Sequence, residues 1–238
     1  VLEDVAYFIS RLRLDYMLDC ALHVPVGIFT RIPIVWCLCI VLLDKKGIRI
    51  MEKKYIQKLM SAAVDRYVLT PAQCMMLRED ANIIGMKRAA VMNKDGTTKR
   101  SYTRTCSSCW VPNSQHHKWI YNIMNELNRA INEENWKFDI TGVQQLQILK
   151  YNAFQRFMWH YDLYNGSDRK LTAVVNLSDP SEYLGGGLQI KADIDNVQFI
   201  REQGAGCWFP SYLEHRARAP IWGTRWVLVA WFTGPAWR

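Results

Sequence analysis

The sequence predicts an α+β fold, a β-sandwich or barrel with helices packed outside it. Two features carry that prediction. Up to Trp136 the apolar residues recur mainly at helical spacing, and after it they sit in short runs parted by NGSDR, LGGG and EQGAG. Many short strands broken by Gly-rich turns close into a sandwich or barrel, and one-faced helices must lay their apolar stripe on such a core. Half of the 238 residues are apolar and 22% are charged, the balance of a globular chain rather than a disordered one.

In chain order, VLEDVAYFISRLRLDYML sets Val5, Phe8, Ile9, Leu12 and Leu18 at the spacing of an amphipathic helix. GIFTRIPIVWCLCIVLLDKK follows. Its uninterrupted apolar run extends only from Ile32 to Leu43, short for a membrane span, with Arg31 and Pro33 at its edge. It also lacks the basic start and small-residue cleavage site of a signal peptide. A buried or interfacial hairpin is expected there, with a membrane anchor in residues 20–43 as the alternative. A third reading takes Met51 as the true start. Residues 1–50 hold six of the thirty Lys+Arg and five of the twenty-two Asp+Glu, so most of the net positive charge belongs to residues 51–238. The expected division is therefore an N-terminal extension, 1–50, and a working domain, 51–238.

MEKKYIQKLMSAAVDRY is expected to be at least partly helical. LTPAQCMMLREDANIIG carries start and stop signals: Thr70 as N-cap, Pro71 in the first turn, Gln73 completing a capping box and Gly85 as terminator. RSYTRTCSSCWVP reads as a strand. In NSQHHKWIYNIMNELNRAINEENW, Trp119, Ile120, Ile123, Met124, Leu127 and Ile131 make the stripe of a one-faced helix. The strands expected beyond it are DITGVQQLQILKYN, FQRFMWHYDLY, KLTAVVNLSD, GLQIKAD, VQFIRE, GAGCWFPS, EHRARAP and TRWVLVAWFTG.

The net charge of +8 admits an acidic or nucleic-acid partner, but the basic residues are scattered, as on a solvated surface. Seven cysteines, an odd number without framework spacing, point to reduced thiols and a cytoplasmic setting, with a membrane-tethered form as the alternative. The one CxxC, Cys106 to Cys109, precedes His116 and His117, which raises zinc. A strand through TRTCSSCWVP would send the two thiols to opposite faces and argues against it.

The chemistry-bearing residues lie in the strand region. His160 and Asp162 are two apart in RFMWHYDLYNG, and His215 and Arg225 follow ten residues from each other. In an extended strand, residues two apart share a face, so His160 and Asp162 could hold one cation. Two histidines and a carboxylate can take three corners of an octahedron and leave three open, which suits non-haem Fe(II); zinc with a water is the competing reading. Period two puts Arg225, Val227, Val229 and Trp231 on one strand face and Trp226, Leu228 and Ala230 on the other. An arginine among inward-facing apolar groups needs an anion, because a buried unpaired charge is costly. That anion could be a protein carboxylate or a ligand.

The order HxD, a later His and a basic residue ten beyond it resembles the Fe(II)/2-oxoglutarate-dependent dioxygenases, and within them the prolyl 4-hydroxylase-like branch and the PKHD-type hydroxylases of bacteria and phages. RKLTAVVNLSDPSEYLGGGLQI resembles that branch's strand-turn-strand after the HxD, and GAGCWFPSYLEHRARAPIWGTRWVLVAWFTGP its closing segment. The similarity spans roughly residues 65–238. Gly187 departs from it, standing where the branch has an acidic residue, as in GGEL, and residues 1–50 have no counterpart.

The resemblance implies a double-stranded β-helix, or jelly-roll, core with flanking N-terminal helices. It implies His160, Asp162 and His215 as iron ligands and Arg225 as the base gripping the far carboxylate of 2-oxoglutarate. It puts Tyr151, Asn176 and Trp231 in the co-substrate pocket, with ordinary barrel packing as the alternative for these three. The implied cofactors are Fe(II), 2-oxoglutarate and dioxygen, with ascorbate as reductant. The implied partner is a protein or peptide hydroxylated on a side chain, proline first among them. Nucleic acid stays open as a partner, and a membrane is expected only if residues 20–43 anchor the chain. Nucleic-acid demethylases of the superfamily carry a second arginine six beyond the first, where this chain has Trp231. A non-catalytic binding or virion-associated jelly roll would be expected to have lost a ligand or the base, and all four are present.

Overall fold

A computed structural model describes residues 42–44, 47–49, 61–92, 98–99, 101–164, 167–191, 197–199 and 201–237. The helix expected near the N-terminus, the apolar run up to residue 41 and most of the segment from Met51 lie outside them. The chain divides into two compact units, Val1–Lys58 with Ala236–Arg238, and Leu59–Pro235. Of the first, the structure describes one antiparallel pair, β1 (Leu42–Asp44) and β2 (Gly47–Arg49).

The second unit begins with β3 (Ala63–Asp65), so this part of the expected helix is instead a strand. It is held there by pairing with a central strand of the sheet, Val64 opposite Cys207. Helix α1 (Pro71–Ile84) starts where its signals put it: Thr70 Oγ1 accepts from the Gln73 N–H at 3.2 Å, and Gln73 Oε1 accepts from the Thr70 N–H at 2.9 Å. Short strands β4 (Lys87–Arg88), β5 (Val91–Met92) and β6 (Thr98–Lys99) lead to β7 (Ser107–Val111). Helix α2 (Lys118–Asn135) follows, and all six residues of its predicted stripe pack on the main core.

The remaining strands are β8 (Gly142–Asn152), β9 (Phe157–His160), β10 (Arg169–Asn176), β11 (Tyr183–Ile190), β12 (Val197–Phe199), β13 (Gly206–Pro210) and β14 (His215–Thr233). One sheet runs β3-β13-β10-β14-β8-β7-β4, and β11, β12 and β9 extend from the first half of β14, with every pairing antiparallel. This two-sheet arrangement is the expected double-stranded β-helix. EHRARAP and TRWVLVAWFTG, predicted as two strands, are one. Its first half pairs with β11 up to Gly223, and its second half pairs with β8 from Thr224 onward.

The strand alternation sorts side chains between two interiors. Leu146, Ile148, Leu171, Ala173, Val175, Leu228 and Ala230 join the helices in the main core. Leu149, Tyr151, Val227, Val229 and Trp231 gather in a second cluster, and Leu188, Ile190, Cys207, Phe209 and Leu213 in a third. Cys106, just before β7, and Cys109, within it, belong to different clusters. No helix among the described residues is long and apolar enough to cross a membrane.

Candidate active site

The candidate site forms where β9 meets the start of β14. His160 ends β9 and stands directly opposite His215, the first residue of β14, so their rings lie 4.2 Å apart between centroids. Asp162 joins them by a different route from the one expected. The strand ends at His160, so Asp162 does not owe its position to alternation. Instead the backbone N–H groups of Asp162 and Leu163 both donate to the Ser211 carbonyl, at 3.1 and 2.9 Å, and turn the carboxylate inward. His215 Nε2 then lies 3.4 Å from Asp162 Oδ2, and His160 Nε2 lies 3.8 Å from Asp162 Oδ1.

The hydrogen bonds assign the tautomers. His160 Nδ1–H donates to the Met158 carbonyl at 2.8 Å and His215 Nδ1–H to the Leu213 carbonyl at 2.9 Å. A carbonyl only accepts, so the proton of each neutral ring sits on Nδ1 and Nε2 presents a lone pair. Phe157 stacks on His160 and fixes its ring plane. Burial first, then the adjacent His215 ring, hold the His160 pKa down at about 3, so this ring is neutral. For Asp162 burial acts to raise the pKa, but His215 and then His160 outweigh it and keep the carboxyl below its usual range. Thr172 Oγ1 donates to Asp162 Oδ2 at 2.8 Å, with Ser211 Oγ 3.0 Å from Thr172 Oγ1. Nε2 of each ring faces the buried Asp162 carboxylate, and one ligating atom from each of the three residues lies within 4.8 Å of the others. The donor set and its hydrogen-bonded outer partners fit a divalent iron or zinc ion.

Arg225 lies on the interior face of β14, opposite Tyr151 on β8. It is only 3% exposed; among the described residues no carboxylate pairs with it, and its Nε–H is buried without a partner. That is the signature of a guanidinium awaiting an anionic ligand. Beside it lies a small cavity of about 10 Å³, lined by Val174, Asn176, Leu188, Ala205, Gly206, Cys207 and Arg225.

Tyr151 is fully enclosed in the second cluster, where burial pushes its phenol well above the ordinary range. Asn176 lines the cavity, but its amide N–H groups are already used by the Ser178 and Arg201 carbonyls, at 2.8 and 2.9 Å. Its amide nitrogen is therefore committed to the loops rather than to a ligand carboxylate. Trp231 is buried with Arg169 over its ring at 4.2 Å. Sequence reasoning assigned no role to Thr172 or Ser211. Nothing in the local pattern marks Ser211.

Residues 146–233 match the family model of the 2OG-Fe(II) oxygenase superfamily. This agrees with the resemblance read from the sequence, and the superfamily implies Fe(II), 2-oxoglutarate and dioxygen. The match contains His160, Asp162, His215 and Arg225. Among curated proteins none matches the chain in sequence. A prolyl-4-hydroxylase from Pseudomonas putida is similar in structure at 15% identity, with a TM-score of 0.59 over 74% of this chain and 93% of that one. The viral collagen prolyl hydroxylase of Paramecium Bursaria Chlorella virus-1, in its 2OG complex, aligns at 17% identity with a TM-score of 0.55, over 73% and 96%. A Trichoplax adhaerens prolyl hydroxylase, in complex with a hypoxia inducible factor oxygen degradation domain peptide fragment, aligns at 14% identity with a TM-score of 0.59, over 73% and 84%. At these identities the likeness is one of fold.

Proposed function

We propose that the chain is an Fe(II)- and 2-oxoglutarate-dependent dioxygenase that hydroxylates a protein or peptide side chain, with proline as the first candidate. The observation that carries the reading is two imidazole nitrogens and one carboxylate converging, together with a buried arginine that pairs with no carboxylate among the described residues. His160, Asp162 and His215 would hold the ferrous ion. Arg225 would take the far carboxylate of 2-oxoglutarate through paired charge-assisted hydrogen bonds, orienting the co-substrate along the interior of the barrel. With iron, 2-oxoglutarate and dioxygen bound, the site supplies conversion of a substrate C–H to C–OH, with 2-oxoglutarate leaving as succinate and carbon dioxide.

The chain's own residues provide the setting. The two backbone carbonyls keep the imidazoles in the ligating tautomer, Thr172 holds the carboxylate, and the apolar second cluster excludes water. Tyr151 and Trp231 are proposed to border the co-substrate, and ascorbate is proposed to keep the iron ferrous. A peptide substrate is supported by the company of prolyl hydroxylase folds, one of them holding a peptide.

The test is succinate formation by the purified chain with Fe(II), 2-oxoglutarate and ascorbate, together with a mass-spectrometric search for one added oxygen on proline-containing peptides. His160→Ala or Asp162→Ala is expected to abolish turnover. Arg225→Gln is expected to raise the KM for 2-oxoglutarate on the order of 10- to 100-fold, the loss of one or two charged hydrogen bonds. Turnover that survives complete removal of iron rejects the proposal.

A further inference from the structure

A second group of ligating atoms lies away from the candidate active site. Asp80, in the last turns of α1, meets His116 and His117, which lead into α2. His116 Nε2 is 3.2 Å from Asp80 Oδ1, and His117 Nε2 is 3.4 Å from Asp80 Oδ2. The two rings stand edge to face, 4.7 Å apart between centroids, and one atom from each of the three residues lies within 4.8 Å of the others. From these observations we propose a divalent metal site of the zinc class, held by Asp80, His116 and His117 and joining the end of α1 to the start of α2.

The spacing fits the ion. Ligands about 2.0–2.1 Å from a tetrahedral zinc are separated from each other by about 3.3 Å. Imidazole nitrogens with one carboxylate oxygen select zinc or a neighbouring transition metal over calcium or magnesium, which take oxygen.

The polar atoms also call for an occupant. The His117 side chain is 7% exposed and that of Asp80 15%. His117 Nε2 and Asp80 Oδ2 face each other, yet both are buried without a hydrogen-bond partner. The other ring nitrogen of His117 lies 3.0 Å from Ser114 Oγ, the outer contact that would orient a ligating imidazole. His116 is largely exposed, so the fourth position opens to water. The dipoles do not decide the matter: the negative end of α1 favours a cation here and the positive end of α2 opposes it. A plain histidine–aspartate ion pair is the competing arrangement.

Zn²⁺ titration of the full chain, followed by calorimetry, separates the two. Zinc also suits the His160–Asp162–His215 site, so the intact protein is expected to bind two equivalents. His160→Ala/Asp162→Ala should bind one, and His116→Ala/His117→Gln should bind one. His116→Ala alone, at an exposed position that spares folding, should weaken the second equivalent at least 10-fold. Co²⁺ bound to His160→Ala/Asp162→Ala should give the intense visible absorption of a tetrahedral ion, lost with His116→Ala. A single equivalent in the intact protein, or a second one indifferent to His116→Ala and to His116→Ala/His117→Gln, overturns the proposal.

Discussion

Thr172 shows how much of the site's precision rests on a residue that would touch no cofactor. Its hydroxyl donates to Asp162 Oδ2 and is itself fully buried. Valine has nearly the same shape but cannot donate, so Thr172→Val leaves a carboxylate oxygen short of one partner in a dry interior. Outer hydrogen bonds of this kind are typically worth about 10- to 100-fold in metal affinity. Thr172→Val should therefore weaken ferrous or manganous ion binding by that factor while far-ultraviolet dichroism stays unchanged. An unaltered affinity would mean that the Ser211 carbonyl alone, through the backbone of Asp162 and Leu163, holds the ligand in place.

At the scale of elements, the long β14 does the most to assemble the site, because it carries His215 at one end and Arg225 past its middle while serving both sheets. The handover falls at Gly223, whose φ is +78° and whose absent Cβ would sit 2.0 Å from the Glu182 carbonyl oxygen. Gly187 is a built-in comparison: its φ is +111°, but nothing lies within 4 Å of the Cβ position. A left-handed conformation costs a non-glycine residue about 1–2 kcal/mol. Gly187→Ala should lose roughly that amount, whereas Gly223→Ala adds a backbone clash and should lose clearly more, read as urea midpoints. Equal losses would remove Gly223 from its place as the corner of the strand. The positive φ of Gly187 also means that the acidic residue common here in the resembling branch would be strained in this turn.

The same strand explains what could be read in advance. Alternation alone sorted Arg225, Val227, Val229 and Trp231 from Trp226, Leu228 and Ala230, and the apolar members of the two sets fall in separate clusters. The stripe of α2 and the caps of α1 were equally legible, because each depends on residues within a turn or two. Asp162 converges by a hydrogen bond to Ser211, far along the chain, which no local period encodes. Pro220 and Gly223 read as a break between strands, yet pairing with neighbours on both sides carries the strand through them. The approach of the two histidines to Asp80 depends on how α1 and α2 lie on the sheet, which no local spacing encodes.

Across the whole second unit, four buried thiols give the fold a pH limit. Cys74, Cys106, Cys109 and Cys207 are free and buried, Cys74 and Cys109 in the main core, Cys106 in the second cluster and Cys207 in the third. Burial pushes Cys74 and Cys109 from 9.0 up to about 11, and raises Cys106 and, most strongly, Cys207. An unfolded chain releases these protons near pH 9.0, while the folded chain keeps them. Their contribution to stability is thus fully present below 9 and is lost as pH rises from there through about 11. Lys170 and Arg169, whose pKa values burial lowers, work in the opposite direction, whereas the phenols of Tyr121 and Tyr151, which burial raises, act with the thiols. With reductant present, the urea midpoint should fall steadily above pH 9, and Cys207→Ala should flatten that slope by up to about 1.4 kcal/mol per pH unit. The same burial predicts that alkylation of these four cysteines near pH 8 is slow and follows opening of the fold, so urea should accelerate it in step with unfolding. Rapid native-state labelling at any of them, mapped by peptide mass, or a slope untouched by Cys207→Ala, would show that the thiols reach solvent without unfolding.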